Sequence, residues 1–459
     1  MSEIAVEIMT GFKEQPGETI SSALAQSKKI DAIVIEHDAL RRIPELLRVH
    51  FQTSSVFFIA DENTMAAAGN SLGEVLTEAG FALATHVFPG TPRLKGKVEN
   101  AEAFLPRLQA HGGVPVAVGS GVINDLVKYA AFQLNKPYLS IATAASMDGY
   151  ASAGSPLTQK GFKHTITCAP PRVIVADLGI LSNAPKAMSG WGYGDLAGKI
   201  PAGADWLIAD TLNVEKIDTA AWPMVQDNLR TWLSNPAGVA SGDAATSKAL
   251  FTGLLMVGIA MEIHGSSRPA SGSDHQIAHL WEMDGIEYQG RPVSHGTCVA
   301  LGALTILSLY EWLLKQDFQN LEAHRVIRHR RRLDDLAAEI QRRFISPNIA
   351  QRALQEVRAK YIEDNLLRER IELIKQTWPS LRRRLADYLI PFEDMRAMLE
   401  AAGVATDPTA VGIDRTYHRE TLVGSRLIRR RYTILDFLEE TGRFDEAVDS
   451  VFSDGGRWG

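Results

Sequence analysis

Residues 114–136 read "VPVAVGSGVINDLVKYAAFQLNK", and this stretch decides the fold. An apolar run ends in Gly119-Ser120-Gly121 and passes directly into a helical pattern. Glycines at 119 and 121 let the backbone turn sharply and approach a ligand closely. A helix beginning near Val122 aims free N–H groups and the positive end of its dipole beyond the turn, a place that suits a phosphate. The full G-x-G-x-x-G pattern is absent, because Asn124 stands where the third glycine falls. The stretch therefore supports a dinucleotide cradle other than the standard fingerprint.

The same alternation continues outward. "DAIVIE", "SSVFFIAD", "ALATHVF", "PYLSIAT" and "RVIVAD" read as strands, and "ALRRIPELLRVH" and "ENTMAAAGNSLGEVLTEAG" as helices between them. Such alternation predicts a parallel sheet covered on both faces, with ligands bound beyond the carboxyl ends of its strands. From about Pro185 helical periodicity takes over, as in "TSKALFTGLLMVGIAMEIHG" and "HGTCVALGALTILSLYEWLLKQ". The expected organisation is an α/β domain, residues 1–185, followed by an all-α domain, residues 186–459. Residues 1–30 form an extension ahead of the first strand, and the last sixty or so residues read as one more helical piece with a frayed tail.

A chain of 459 residues suits two or three domains. A net charge of -6 argues against a nucleic-acid or membrane-surface partner. The two cysteines, Cys168 and Cys298, cannot build a disulfide framework, so a reducing compartment is expected. The N-terminus lacks the apolar run of a secretory signal, and no stretch reads as a membrane span. The expected setting is cytoplasmic, without membrane insertion. The basic run "HRVIRHRRRLDDLAAEIQRRF" reads as a solvated helix face, a phosphate or partner patch being the lesser reading.

Histidine is scarce, 12 in the chain, yet "GSDHQIAHLWEMDGIEYQGRPVSHG" holds His275, His279 and His295. His275 and His279 share one face of a helix. Together with Asp195 of "GWGYGDLAGK", His275 and His295 supply one carboxylate and two imidazoles. That is a ligand set for a catalytic divalent ion with positions left open. Asp195 and Lys199, four residues apart, equally suit a plain ion pair. His279 is a fourth ligand, a proton donor or a substrate contact. In "IATAASMDGYASAGSPLT", Thr143, Ser146 and Ser152 offer hydrogen bonds to a cofactor, and Ala144 and Ala145 leave space beside it. Asp148 suits a turn or cap, or a contact to a substrate hydroxyl. Asp61 ends a strand, where it either caps the next helix or accepts from a ribose, favouring NAD over NADP.

Taken in order, "GSGVINDLVKYAA", "TAASMDGYAS", "GYGDLAGK", "RPASGSDHQIAHLWEM" and "SHGTCVALG" resemble the sn-glycerol-1-phosphate dehydrogenase family, and its bacterial branch in particular. The C-terminal "RRRYTILDFLEE" resembles that branch as well. The family sits among the iron-type alcohol dehydrogenases, glycerol dehydrogenases and dehydroquinate synthases, so the resemblance implies a dehydroquinate synthase-like fold. It implies that Gly119, Ser120, Gly121, Val122, Ile123, Thr143, Ala144, Ala145, Ser146 and Ser152 contact NAD, or NADP. It implies that Asp148 and His279 meet the substrate, and that Asp195, His275 and His295 hold zinc, nickel or iron. The implied reaction interconverts glycerol 1-phosphate and dihydroxyacetone phosphate, a small phosphorylated three-carbon pair, in a homodimer or larger homo-oligomer. His279 is then the candidate proton relay, and Lys199 and Arg268 are candidate phosphate contacts. The alternatives are a non-phosphorylated polyol dehydrogenase, a dehydroquinate synthase-like cyclase and a non-catalytic nucleotide-binding protein.

Overall fold

The six expected strands assemble into one parallel sheet in a computed structural model that describes residues 16–159 and 162–459. They are β1 (Ala32–Glu36), β2 (Ser55–Asp61), β3 (Ala82–Phe88), β4 (Val114–Gly119), β5 (Leu139–Ala142) and, after the pair β6 (Ser155–Gln159) and β7 (Phe162–Ile166), β8 (Val173–Asp177). The order across the sheet is β1-β8-β5-β4-β2-β3. β4 packs Val116 and Val118 into one apolar cluster and Ala117 into another, as side chains alternate along a strand. Both faces are covered, which is why the strand reads as an unbroken apolar run.

The chain builds from β2 to β3 in one direction, then β4, β5 and β8 in the other. The reversal lies between β2 and β4, and open α/β sheets bind ligands beyond the carboxyl ends of their strands at such a point. β6 and β7 form an antiparallel hairpin apart from this sheet, which the strand–helix alternation does not signal.

After β8 the chain is almost wholly helical. Two helices, Ala244–His264 and His295–Leu313, are long and apolar enough to cross a membrane, contrary to the expectation that no segment is. Their apolar windows are 72% and 94% buried within the protein. A helix that is apolar all round is what a core surrounded by other helices requires.

Two further expectations change. Part of the N-terminal extension is core: helix Pro16–Gln26 buries Ile20 and Ala23 in the cluster that holds Leu254 and Ala142. Residues 1–15 lie outside the described residues. The tail is tied down, since the Trp458 ring packs against His418 and Phe392, and Arg457 pairs with Glu311. The basic run keeps an exposed face, including Arg325, Arg328 and Arg342, and also braces the fold: Arg330 and Arg332 both reach Asp364, and Arg331 reaches Glu439 and Asp445.

Candidate functional site

Asp195 is carried on helix Lys186–Ala197, His275 and His279 on helix Ser273–Asp284, and His295 opens helix His295–Leu313. The first and third of these cross at glycines. A Cβ on Gly296 would strike the Trp191 carbonyl, and one on Gly194 would meet the Gly296 carbonyl. Backbone contact at this crossing brings Asp195 beside His295. One ligand atom each from Asp195, His275 and His295 lies within 4.8 Å of the others. His279 stacks on His295 with ring centroids 5.7 Å apart, and His279, Glu282 and His295 form a second convergent group.

Each imidazole is held by a carboxylate. His275 Nδ1 lies 2.6 Å from Asp274, whose side chain is fully buried. Glu282 uses both oxygens: Oε1 lies 2.9 Å from His295 Nδ1 and Oε2 lies 3.1 Å from His279 Nδ1. Donation from Nδ1–H in each case leaves the Nε2 lone pairs available, the tautomer that metal-binding histidines adopt. Sequence reasoning missed Asp274 and Glu282. Burial, with the Arg429 charge, pushes His279 down to about 3, so it is neutral at pH 7 rather than titrating there.

Lys199 is fully buried, with Nζ 2.7 Å from both Asp148 and Asp195. The Asp148 N–H donates to the other Asp195 oxygen at 3.0 Å. Burial alone would raise the Asp195 pKa, but the Lys199 ammonium and the two histidines hold it well below the usual carboxylate range. The ion-pair reading of Asp195 and Lys199 is therefore correct, and Lys199 is withdrawn as a phosphate contact. Arg268 is withdrawn too: its guanidinium is buried against Glu215 and donates to the Asp205 and Tyr432 carbonyls.

A cleft of about 1550 Å³ opens at the carboxyl ends of the strands. Asp61, Ser120, Val122, Ile123 and Thr143 line it, as expected of a dinucleotide site. Asp61 is also the cap of the next helix, exchanging hydrogen bonds with Thr64, so its capping reading holds. Gly119, Gly121, Ala144, Ala145, Ser146 and Ser152 are not part of this lining. Gly119 is needed for packing, since a Cβ there would collide with Ile123. Ser152 donates to the Gly149 carbonyl and Tyr150 to the Ala144 carbonyl, while the buried Lys128 ammonium clamps the Gly149 and Gly154 carbonyls at 2.8 and 2.9 Å. These groups shape the loop that carries Asp148.

Ser294 and Thr297, which flank His295, also line the large cleft. A second cavity of about 540 Å³ is lined by His279 and Glu282. His279 and Glu282 of the histidine cluster thus reach the smaller cavity, and the neighbours of His295 reach the larger one.

The fold and this site define a class. Residues 34–185 match the family model of the iron-containing alcohol dehydrogenases. The structure resembles a probable glycerol dehydrogenase from Sinorhizobium meliloti, with a TM-score of 0.57 at 14% identity, covering 91% of this chain and 96% of that one. It also resembles a sulfoacetaldehyde reductase from Bifidobacterium kashiwanohense solved with NAD+, with a TM-score of 0.56 at 13% identity, covering 92% and 98%. Sequence narrows the class. A glycerol-1-phosphate dehydrogenase (NAD(P)+) from Bacillus subtilis is 32% identical over 324 residues, 70% of this chain and 80% of the relative. One from Geobacillus thermodenitrificans is 28% identical over 414 residues, 90% of this chain and 93% of the relative. The chain belongs to the glycerol-1-phosphate dehydrogenase family.

Proposed function

We propose that this protein is a metal-dependent, NAD(P)-linked dehydrogenase that interconverts sn-glycerol 1-phosphate and dihydroxyacetone phosphate. The observation that carries the reading is the convergence of Asp195, His275 and His295, beside His279 of the smaller cavity and Ser294 and Thr297 of the larger. The donor set fits a divalent ion: one ionised, buried carboxylate and two imidazoles fixed by Asp274 and Glu282 suit zinc, nickel or iron. The glycine turn and the cleft at the strand ends fit a dinucleotide.

An ion held by Asp195, His275 and His295 would supply Lewis acidity toward the C2 oxygen of the substrate, and a bound nicotinamide dinucleotide would supply the hydride chemistry. The chain's own groups do the positioning. Lys199 holds Asp148 and Asp195 together, so that the carboxylate offered to a substrate hydroxyl and the one offered to the ion keep a fixed relation. His279 faces the smaller cavity as a neutral imidazole whose Nδ1–H is held by Glu282, leaving Nε2 to accept a hydrogen bond from a substrate hydroxyl. Residues 1–185 chiefly serve the dinucleotide, and residues 186–459 the ion and the substrate. Cys168 and Cys298, both buried as thiols, suit a reducing, cytoplasmic setting.

The test is metal analysis of the purified protein together with NADH and NADPH oxidation on dihydroxyacetone phosphate. The expected result is about one divalent ion per chain and net cofactor oxidation that a chelator abolishes and added metal restores. Turnover that survives complete metal removal would overturn the metal-dependent mechanism. A cyclase, which regenerates its cofactor, would give no net oxidation.

A further inference from the structure

With Lys199 and Arg268 engaged in buried ion pairs, the substrate phosphate still needs a cation. The C-terminal arginines offer one. Arg426 pairs with Glu339, Arg430 clasps Glu356 through Nε at 2.9 Å and Nη2 at 3.1 Å, and Arg431 donates to Ser267 and Ser271. Arg429, in the same run, makes no such hydrogen bond or ion pair among the described residues. It lines the smaller cavity together with His279, Glu282, Arg352 and Glu356.

The two carboxylates whose charges reach Arg429, Glu356 and Glu282, are each hydrogen-bonded to other side chains. Glu356 is taken by Arg430 and by Arg352, at 3.1 Å from the latter. Glu282 is taken by the two histidines. The Arg429 side chain is only partly exposed, and burial pulls its pKa down from the usual guanidinium value. Met283 and Ile428 give the cavity apolar walls, which strengthen any ionic contact made inside. A guanidinium with no hydrogen-bonded partner among the described residues presents a planar fork that matches the oxygens of a phosphate.

We propose that Arg429 binds the phosphate of the substrate, with Arg352 at the rim, and so determines the preference for a phosphorylated three-carbon compound over the free polyol or ketone. This inference rests on the dehydrogenase reading above. It places the hydride chemistry at the histidines and the choice of substrate on the C-terminal run.

The test compares dihydroxyacetone phosphate with dihydroxyacetone in wild-type protein and in Arg429→Gln. The wild type should prefer the phosphorylated ketone, and inorganic phosphate should compete with it. In R429Q the preference ratio should fall by about ten- to a hundredfold, the scale of a lost charged hydrogen-bond pair. The change should sit mainly in KM, and inhibition by inorganic phosphate should weaken in parallel. If R429Q does not fold, Arg429→Lys decides: it keeps the charge but not the fork, and should lower the ratio by about several-fold. A wild type that strongly prefers the phosphorylated ketone, with variants that keep the full ratio, would overturn the role of Arg429 alone. A wild type that uses the free ketone equally well would overturn the substrate reading and this inference together.

Discussion

Glu282 divides its two oxygens between His279 and His295, so one carboxylate sets the orientation of both rings. Replacing it with glutamine leaves a single acceptor oxygen and turns an amide N–H toward one Nδ1–H. Glu282→Gln should therefore weaken metal affinity by about 10–100-fold, measured by chelator competition. Wild-type affinity in that variant would refute the orienting role. At this scale the sequence is legible where residue type is the message. Asp195, His275 and His295 are the scarce donors that a metal needs, and the structure brings them together. It is illegible where an ordinary residue gains its role from direction. A glutamate three positions after a histidine is unremarkable in a helix, and nothing in "HLWEM" says that the other oxygen meets a histidine thirteen positions on. Lys199 misled for the same reason: its charge suited a phosphate, and only burial between two carboxylates shows that the charge is already matched.

Apart from the β6–β7 hairpin, what the sequence concealed lies in helices rather than strands. The six strands declare themselves through apolar runs ended by turns, and the structure contains each of them. The "GWGYGD" segment reads as a glycine-rich lead-in, because glycine is poor in helix interiors. Yet Gly190, Gly192 and Gly194 all lie inside helix Lys186–Ala197, where close approach to other backbone outweighs local preference. Gly192 sits against the Ala145 carbonyl and Gly194 against the Gly296 carbonyl. Gly296→Ala should force helices Lys186–Ala197 and His295–Leu313 apart. The expected cost is about 1–3 kcal/mol, the usual range for overpacking. The same shift should lower metal content, because Asp195 and His295 ride on opposite sides of the crossing. Thermal melting and metal stoichiometry check both, and an unchanged melt with full metal content would refute the account.

Across the whole molecule, the division near residue 185 follows the change from strands to helices but not the packing. One apolar cluster gathers Ile20, Ala142 and Ile174 with Leu254, Leu304 and Leu399. Periodicity reveals which face of an element is apolar, but not which partner covers it, so a segment that reads as an extension can supply core. The two cavities share no lining residue, and this has a kinetic consequence. With a separate cavity for each reactant, the binary complex with either one should leave the second site accessible. The order of addition should be random, with free ketone and free cofactor each forming a productive complex. Product-inhibition patterns would read this directly. A strictly compulsory order, cofactor first, would mean that the smaller cavity is reached only through the larger.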